Sequence, residues 1–216
     1  MKKRIYDHIP KEVIKDMPLA AFEGRIIVVL TESEAKKAVD FLLTQEILGI
    51  DTETRPSFRK GKHNMVSLLQ VSTHDTCFLF RLKRIGQSPS IIRLLENTHI
   101  PMIGLSLHDD MHALKELYKF TPGNYIDLQN IIRNIGIEDL SLQKIFANLF
   151  NKRLNKRQQL SNWDADVLSE KQQLYGATDA WACIKIYEEY LRLTETKDYT
   201  IISTKENNEQ VSTDIS

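Results

Sequence analysis

The sequence predicts a single α/β domain, a mixed β-sheet flanked by helices. Short β-branched runs cluster in its first half, stretches of helical apolar spacing separate and follow them, and one pair of strands has a hairpin's spacing. With 216 residues and 42% apolar content, the chain can build one sizeable core, which excludes wholesale disorder.

Residues 1–24 read as a polar lead-in broken by Pro10 and Pro18. Residues 25–30 are a β-branched strand. Thr31 and Glu34 then make a capping box for a helix that carries Ala35, Ala38, Val39, Leu42 and Leu43 on one face. Residues 47–53 form a second strand, apolar until its last positions, and residues 54–64 a basic loop. Strands at 65–72 and 76–80 flank Thr73, His74 and Asp75 and predict an antiparallel hairpin. A short helix at 89–95, a strand at 100–105 and a helix at about 108–118 follow. The second half reads mainly as helix: Ser141 caps one with Leu142, Ile145, Phe146 and Leu149 at helical spacing, and Ser169 with Gln172 opens a long one to about residue 193. The expected organisation is a lead-in at 1–24, the domain at 25–194 and a disordered polar tail at 195–216.

No apolar run approaches the ~18 residues of a membrane span, and no apolar signal segment follows the basic N-terminus. Cys77 and Cys183 sit in apolar contexts without metal spacing, so buried reduced thiols and a cytoplasmic location are expected. The 29 basic and 29 acidic residues balance, which argues against coating nucleic acid by bulk electrostatics.

Three carboxylate features carry candidate chemistry. Asp51 and Glu53 lie two apart at the end of an apolar strand, so both side chains take one face and repel unless a cation lies between them. Taken alone, such a pair is more often a surface edge. Tyr175 and Asp179 lie four apart on a helix expected to pack on the core through Leu174, Ala177, Ala182 and Ile186. An acid there needs a partner, and a capping or salt-bridged Asp beside a core Tyr is the plainer reading. Asp109 and Asp110 occupy the first turn of a helix after the 100–105 strand, where acids are favoured by the helix dipole in any case.

Their order is more telling than any one of them. An Asp-x-Glu strand, an Asp after a later strand and a Tyr-x-x-x-Asp helix resemble the DEDDy family of 3′-5′ exonucleases, and within it the ribonuclease D and Werner-type domains. The resemblance covers about residues 25–193 and is carried by Gly49 to Glu53, by Val66 to Gln70, by Ser161-Asn162-Trp163 and most specifically by Leu174 to Ala182. Spacing from Gly104 in the Werner-like pattern selects Asp110 over Asp109, which reads as a first-turn acid.

The resemblance implies a ribonuclease H-like fold and a two-metal 3′-5′ exonuclease that releases nucleoside 5′-monophosphates. Oxygen ligands suit two Mg²⁺ or Mn²⁺ ions. By the same resemblance, Asp51 bridges both metals, Glu53 and Asp179 hold the water-activating one, Asp110 serves the second, and Tyr175 positions the attacking water. The implied partner is nucleic acid with a free 3′ end, with a separate helicase or other processing protein beside it. No membrane and no small-molecule cofactor is expected.

Arg55, Arg59, Lys60 and Lys62 in the basic loop are candidates for phosphate contact, with a solvated loop the equal alternative. Lys144, Lys152, Arg153, Lys156 and Arg157 stand between phosphate contact and helix surface. His108 and His112 read as exposed helix histidines, Trp163 and Trp181 as core, and Met65 and Phe58 as packing or base contacts.

Two other function classes compete. Asp51-Thr52-Glu53-Thr54 is one carboxylate type away from the Asp-x-Asp-x-Thr of haloacid dehalogenase-like phosphatases, but that reading leaves Tyr175 and Asp179 unused. A catalytically silent nucleic-acid-binding module would have lost a ligand, and all five residues are present. The zero net charge also divides. The segment from Glu195 onward carries five acids and two bases, so the rest of the chain holds +3 even with four site carboxylates in it.

Overall fold

The computed structural model describes residues 2–57 and 64–204. The chain opens with β1 (Lys3–Tyr6) and α1 (Lys11–Lys15), then β2 (Arg25–Val29) and α2 (Glu32–Leu42). β3 (Leu48–Thr54), β4 (Val66–Ser72) and β5 (Thr76–Arg81) follow, then α3 (Leu82–Ile85) and α4 (Pro89–Leu95). β6 (Met102–Gly104), α5 (Leu107–Leu117), β7 (Tyr125–Asp127) and α6 (Leu128–Ile131) lead to a 3₁₀ turn at Ile132–Ile135. α7 (Leu142–Phe150), α8 (Glu170–Thr196) and β8 (Tyr199–Ile202) complete it.

The caps are those the sequence predicts. Thr31 and Glu34 form one capping box and Ser169 and Gln172 another, while Ser141 accepts from the Lys144 amide.

Six strands form one sheet in the order β2-β5-β4-β3-β6-β7. β4 runs antiparallel to β3 and to β5; the other pairings are parallel. Alternation separates the two faces. Ile50, Leu69, Val71, Phe78 and Phe80 pack with α2, α4 and α5 on one side. Leu68, Cys77 and Leu79 pack with Trp163, Tyr175 and Ala177 on the other. α8 lies on this second face, and its backbone comes directly against β3 at Gly49: a Cβ there would fall 1.9 Å from the Ala180 carbonyl oxygen. That close approach sets how near Asp179 comes to Asp51.

The expected polar tail is folded through residue 204. Residues 195 and 196 finish α8, and β8 pairs in parallel with β1, so the lead-in and the tail clasp each other. Ile5 is fully buried beside Leu193, and Ile201 covers Gly136, whose φ of 84° and lack of Cβ leave that room. Neither segment alone has enough apolar residues to show this, because each is completed by a partner nearly the whole chain away. Residues 205–216 lie outside the described residues. β7, α1, α3 and α6 were not anticipated; each is five residues or fewer, too short for a period to emerge.

Candidate metal centre

Asp51 and Glu53 project from β3 toward α8, and Asp179 descends from α8 to meet them. Each of the three presents a carboxylate oxygen within 4.8 Å of the other two. Of β3, only Leu48 and Gly49 pair with β6, so the acidic end of β3 runs past that neighbour. This leaves space at the carboxyl ends of the strands for the first turn of α5. There Asp110 accepts a hydrogen bond from the Thr52 hydroxyl. Asp109 is exposed, whereas Asp110 is half-buried against the other acids.

The first turn of α5 is itself held by Asp127 at the end of β7. Its two oxygens accept from the Ser106 and Leu107 amides at 2.9 Å each, and Oδ1 also accepts from Gln129 at 2.9 Å. Ser106 is left-handed (φ 60°), a turn these bonds stabilise. Sequence reasoning missed Thr52 and Asp127. Thr52 alternates to the face opposite its neighbours, and Asp127 ends a three-residue strand; an Asp after two β-formers was the available signal.

Tyr175 is buried, and its hydroxyl hydrogen-bonds the Asp179 carboxylate. Its ring meets Trp163 at 5.9 Å between centroids. The loop carrying Trp163 is pinned to the sheet: Asp164 accepts from Ser67 and pairs with Lys83, both at 2.6 Å, and Arg81 donates to the Ala165 carbonyl. The tyrosine therefore has a fixed seat.

Among the described residues, no Lys, Arg or His pairs with Asp51, Glu53, Asp110 or Asp179. Burial, then repulsion from Asp179, Asp110 and Glu53, holds Asp51 well above the usual carboxylate range. Burial, then repulsion from Asp179 and Asp110, pushes Glu53 up to about 9. Burial raises Asp179 to about 7 against the opposing bond from Tyr175, and Asp110 to about 6 against the bond from Thr52. Burial and the nearby carboxylates drive the Tyr175 phenol well above its ordinary value, so its hydroxyl keeps its proton. Asp179 Oδ1 is buried with no hydrogen-bond partner. An unpaired buried oxygen among acids that cannot all ionise together fits a divalent cation held by oxygen ligands.

A 3′-5′ exonuclease family model matches residues 26–195.

The chain belongs to the 3′-5′ exonuclease family.

Among relatives of this exonuclease family, mouse "Bifunctional 3′-5′ exonuclease/ATP-dependent helicase WRN" is 26% identical over 211 residues, covering 93% of this chain and 15% of that protein. An Arabidopsis thaliana "3′-5′ exonuclease" is 27% identical over 190 residues, 81% of this chain and 66% of that one. The chain thus spans about a seventh of the mouse relative. In fold, the Aedes aegypti Nibbler EXO domain superposes with a TM-score of 0.73 at 20% identity, over 84% of this chain and 94% of that one. Escherichia coli RNase D gives 0.71 at 18% identity, over 80% and 45%. These neighbours share the ribonuclease H-like fold expected from the sequence. The family is one of hydrolytic nucleases, and membership in it sets aside the phosphatase reading, which gave Asp179 and Tyr175 no role.

The basic candidates divide. Arg55 is exposed, its carbonyl held by Asn64 Nδ2 at 2.8 Å. Arg59, Lys60 and Lys62, with Phe58, lie outside the described residues. Lys144 is paired with Asp139 at 2.6 Å, and Arg153 Nε donates to the Met17 carbonyl at 2.9 Å, so both have structural partners. Lys152, Lys156 and Arg157 are exposed, as are His108 and His112. Trp163 is core; Trp181 is half-buried and, with Phe22 and Phe146, borders a cavity of about 730 Å³ that the site residues do not line. Cys77 and Cys183 are buried free thiols.

Proposed function

We propose that this site hydrolyses the terminal phosphodiester bond at the 3′ end of a nucleic acid strand, releasing nucleoside 5′-monophosphates with the help of two divalent ions, Mg²⁺ or Mn²⁺. The observation that carries this reading is the convergence of Asp51, Glu53 and Asp179, with Asp110 alongside and no protein cation among the described residues to balance them.

Asp51, central to the cluster, would bridge the two ions. Glu53 and Asp179 would hold the ion beside the attacking water, and Asp110 the second ion, directly or through water. When bound, such ions neutralise the phosphate and make a neighbouring water more acidic. Tyr175 keeps its proton and orients the water for attack in line with the departing 3′ oxygen. The water oxygen bonds to phosphorus, the P–O3′ bond breaks, and the shortened strand leaves with a 3′ hydroxyl. Arg55, Arg59, Lys60 and Lys62 are the proposed strand contacts through phosphate.

Nucleic acid with a free 3′ end is the substrate class; RNase D of Trypanosoma brucei has been solved with RNA U12. The name of the mouse relative joins exonuclease and helicase, which supports a helicase or another processing protein as a partner. Two buried free thiols support a cytoplasmic setting.

End-labelled single- and double-stranded DNA and RNA, incubated with Mg²⁺ or Mn²⁺, test the reading. A ladder shortening from the 3′ end is expected, lost in folded Asp51→Ala and Asp179→Ala chains. Cleavage from 5′ ends or internally, or full activity in either variant, refutes it. Binding without shortening would mark a silent module.

A further inference from the structure

Gln70 lies fully buried on β4, and neither its Oε1 nor its Nε2 has a hydrogen-bond partner. The proposed chemistry leaves it without a task. An amide kept unpaired in a protein interior is costly, so its partner is worth locating.

Three placements locate it. The β3–β4 register sets Gln70 directly opposite Asp51, so both side chains leave the same face of the sheet, toward α8. A Cβ on Gly176 would lie 3.1 Å from Gln70 Cγ and 3.2 Å from Nε2, which puts the amide under that turn of α8. Asp179 is three residues further along α8 and shares its face. Its Oδ1 is also buried and unpaired, and its carboxylate reaches that of Asp51. A buried donor and a buried acceptor, each without a partner, thus share the space between the β3–β4 pair and α8.

We propose that Gln70 is a positioning residue for the metal centre. When the carboxylates close on divalent ions, Asp179 is drawn toward Asp51 and so toward the residue opposite Asp51. The Gln70 Nε2–H then engages Asp179 Oδ1, directly or through one buried water, and holds the carboxylate in its ligating orientation. The inference rests on the divalent-metal reading of the site. Groups that orient metal ligands in this way typically change metal affinity by about 10–100-fold when removed.

Mn²⁺ binding to the full chain, followed by the electron paramagnetic resonance signal of the free ion at fixed pH, tests it. Gln70→Met keeps the side chain's length and removes both polar atoms. Its metal-free Tm should equal or exceed that of wild type, because no bond is lost, while Mn²⁺ affinity falls about 10–100-fold. Gly176→Ala pushes on Cγ and Nε2 with Gln70 still present and should weaken Mn²⁺ binding too, with little added by combining the two. Wild-type affinity in Gln70→Met overturns the proposal, as does a Gln70→Met chain that fails to fold, since that would give the amide a structural role. If the wild-type chain binds no Mn²⁺, or Asp51→Asn binds it as well as wild type, it is the metal-centre reading that fails.

Discussion

The Thr52 hydroxyl donates a hydrogen bond to the Asp110 carboxylate across 58 residues of sequence. Thr52 sits between Asp51 and Glu53 but points to the opposite face of β3, so it reaches the helix packed there. One strand thus presents two acids to α8 and recruits a third from α5. Thr52→Val keeps the shape and removes the donor. We expect a stability change of about 1 kcal/mol or less, together with activity and Mn²⁺ affinity several-fold below wild type. Wild-type kcat and Mn²⁺ affinity in the variant would show that the bond does not place Asp110.

The raised carboxylates fix the sign of the pH dependence. Unfolded carboxyls titrate near 4, whereas Asp110, Asp179 and Glu53 in the folded chain titrate at about 6, 7 and 9. Between those limits the folded state binds more protons than the unfolded state, so metal-free stability falls as pH rises. Divalent ions remove the repulsion. Mn²⁺ should therefore raise Tm more at pH 8.5 than at pH 5.5. An equal shift at both values, or metal-free stability that climbs from pH 5 to 9, would contradict the repulsive cluster.

Tyr175→Phe removes the hydroxyl and leaves the ring seated on Trp163. Because burial and nearby carboxylates hold the phenol protonated, its loss should lower kcat with KM little changed. The alkaline side of the pH–rate profile should not move, as expected of a hydroxyl that keeps its proton and only orients the water. An unchanged kcat removes the tyrosine from the mechanism; a shifted alkaline limb would restore it as a base.

Gly49→Ala places a methyl group against the Ala180 carbonyl. α8 must back away from β3, at a cost of about 1–3 kcal/mol or more. Asp179 then recedes from Asp51, so Mn²⁺ affinity should fall along with Tm. A variant of wild-type Tm would mean that α8 does not rest on that glycine.

The acidic residues were legible as candidates through the order of their motifs, which resembles the DEDDy exonucleases, while strand alternation puts Asp51 and Glu53 on one face and a helical turn puts Tyr175 above Asp179. Both are local periodicities. The helices with capping boxes were legible for the same reason, since Thr31 with Glu34 and Ser169 with Gln172 act within four residues. The β1–β8 clasp was not, because Ile5 and Ile201 are stabilised by pairing across nearly the whole chain. Gln70 was visible only as part of a strand; that its amide is buried without a partner depends on what covers it.

The linear chain therefore determined the α/β class, the hairpin and the long C-terminal helix through short-range spacing, and its resemblance to the DEDDy exonucleases singled out the four acids and their tyrosine as candidates. The fold decided that Thr52 and Asp127 support Asp110, which the motif spacing had already selected over Asp109, and that polar ends thought free are tied together. The reason is physical: side-chain direction repeats every two or nearly four residues and can be counted along a sequence, but burial, repulsion and hydrogen bonding belong to pairs that only packing brings within reach.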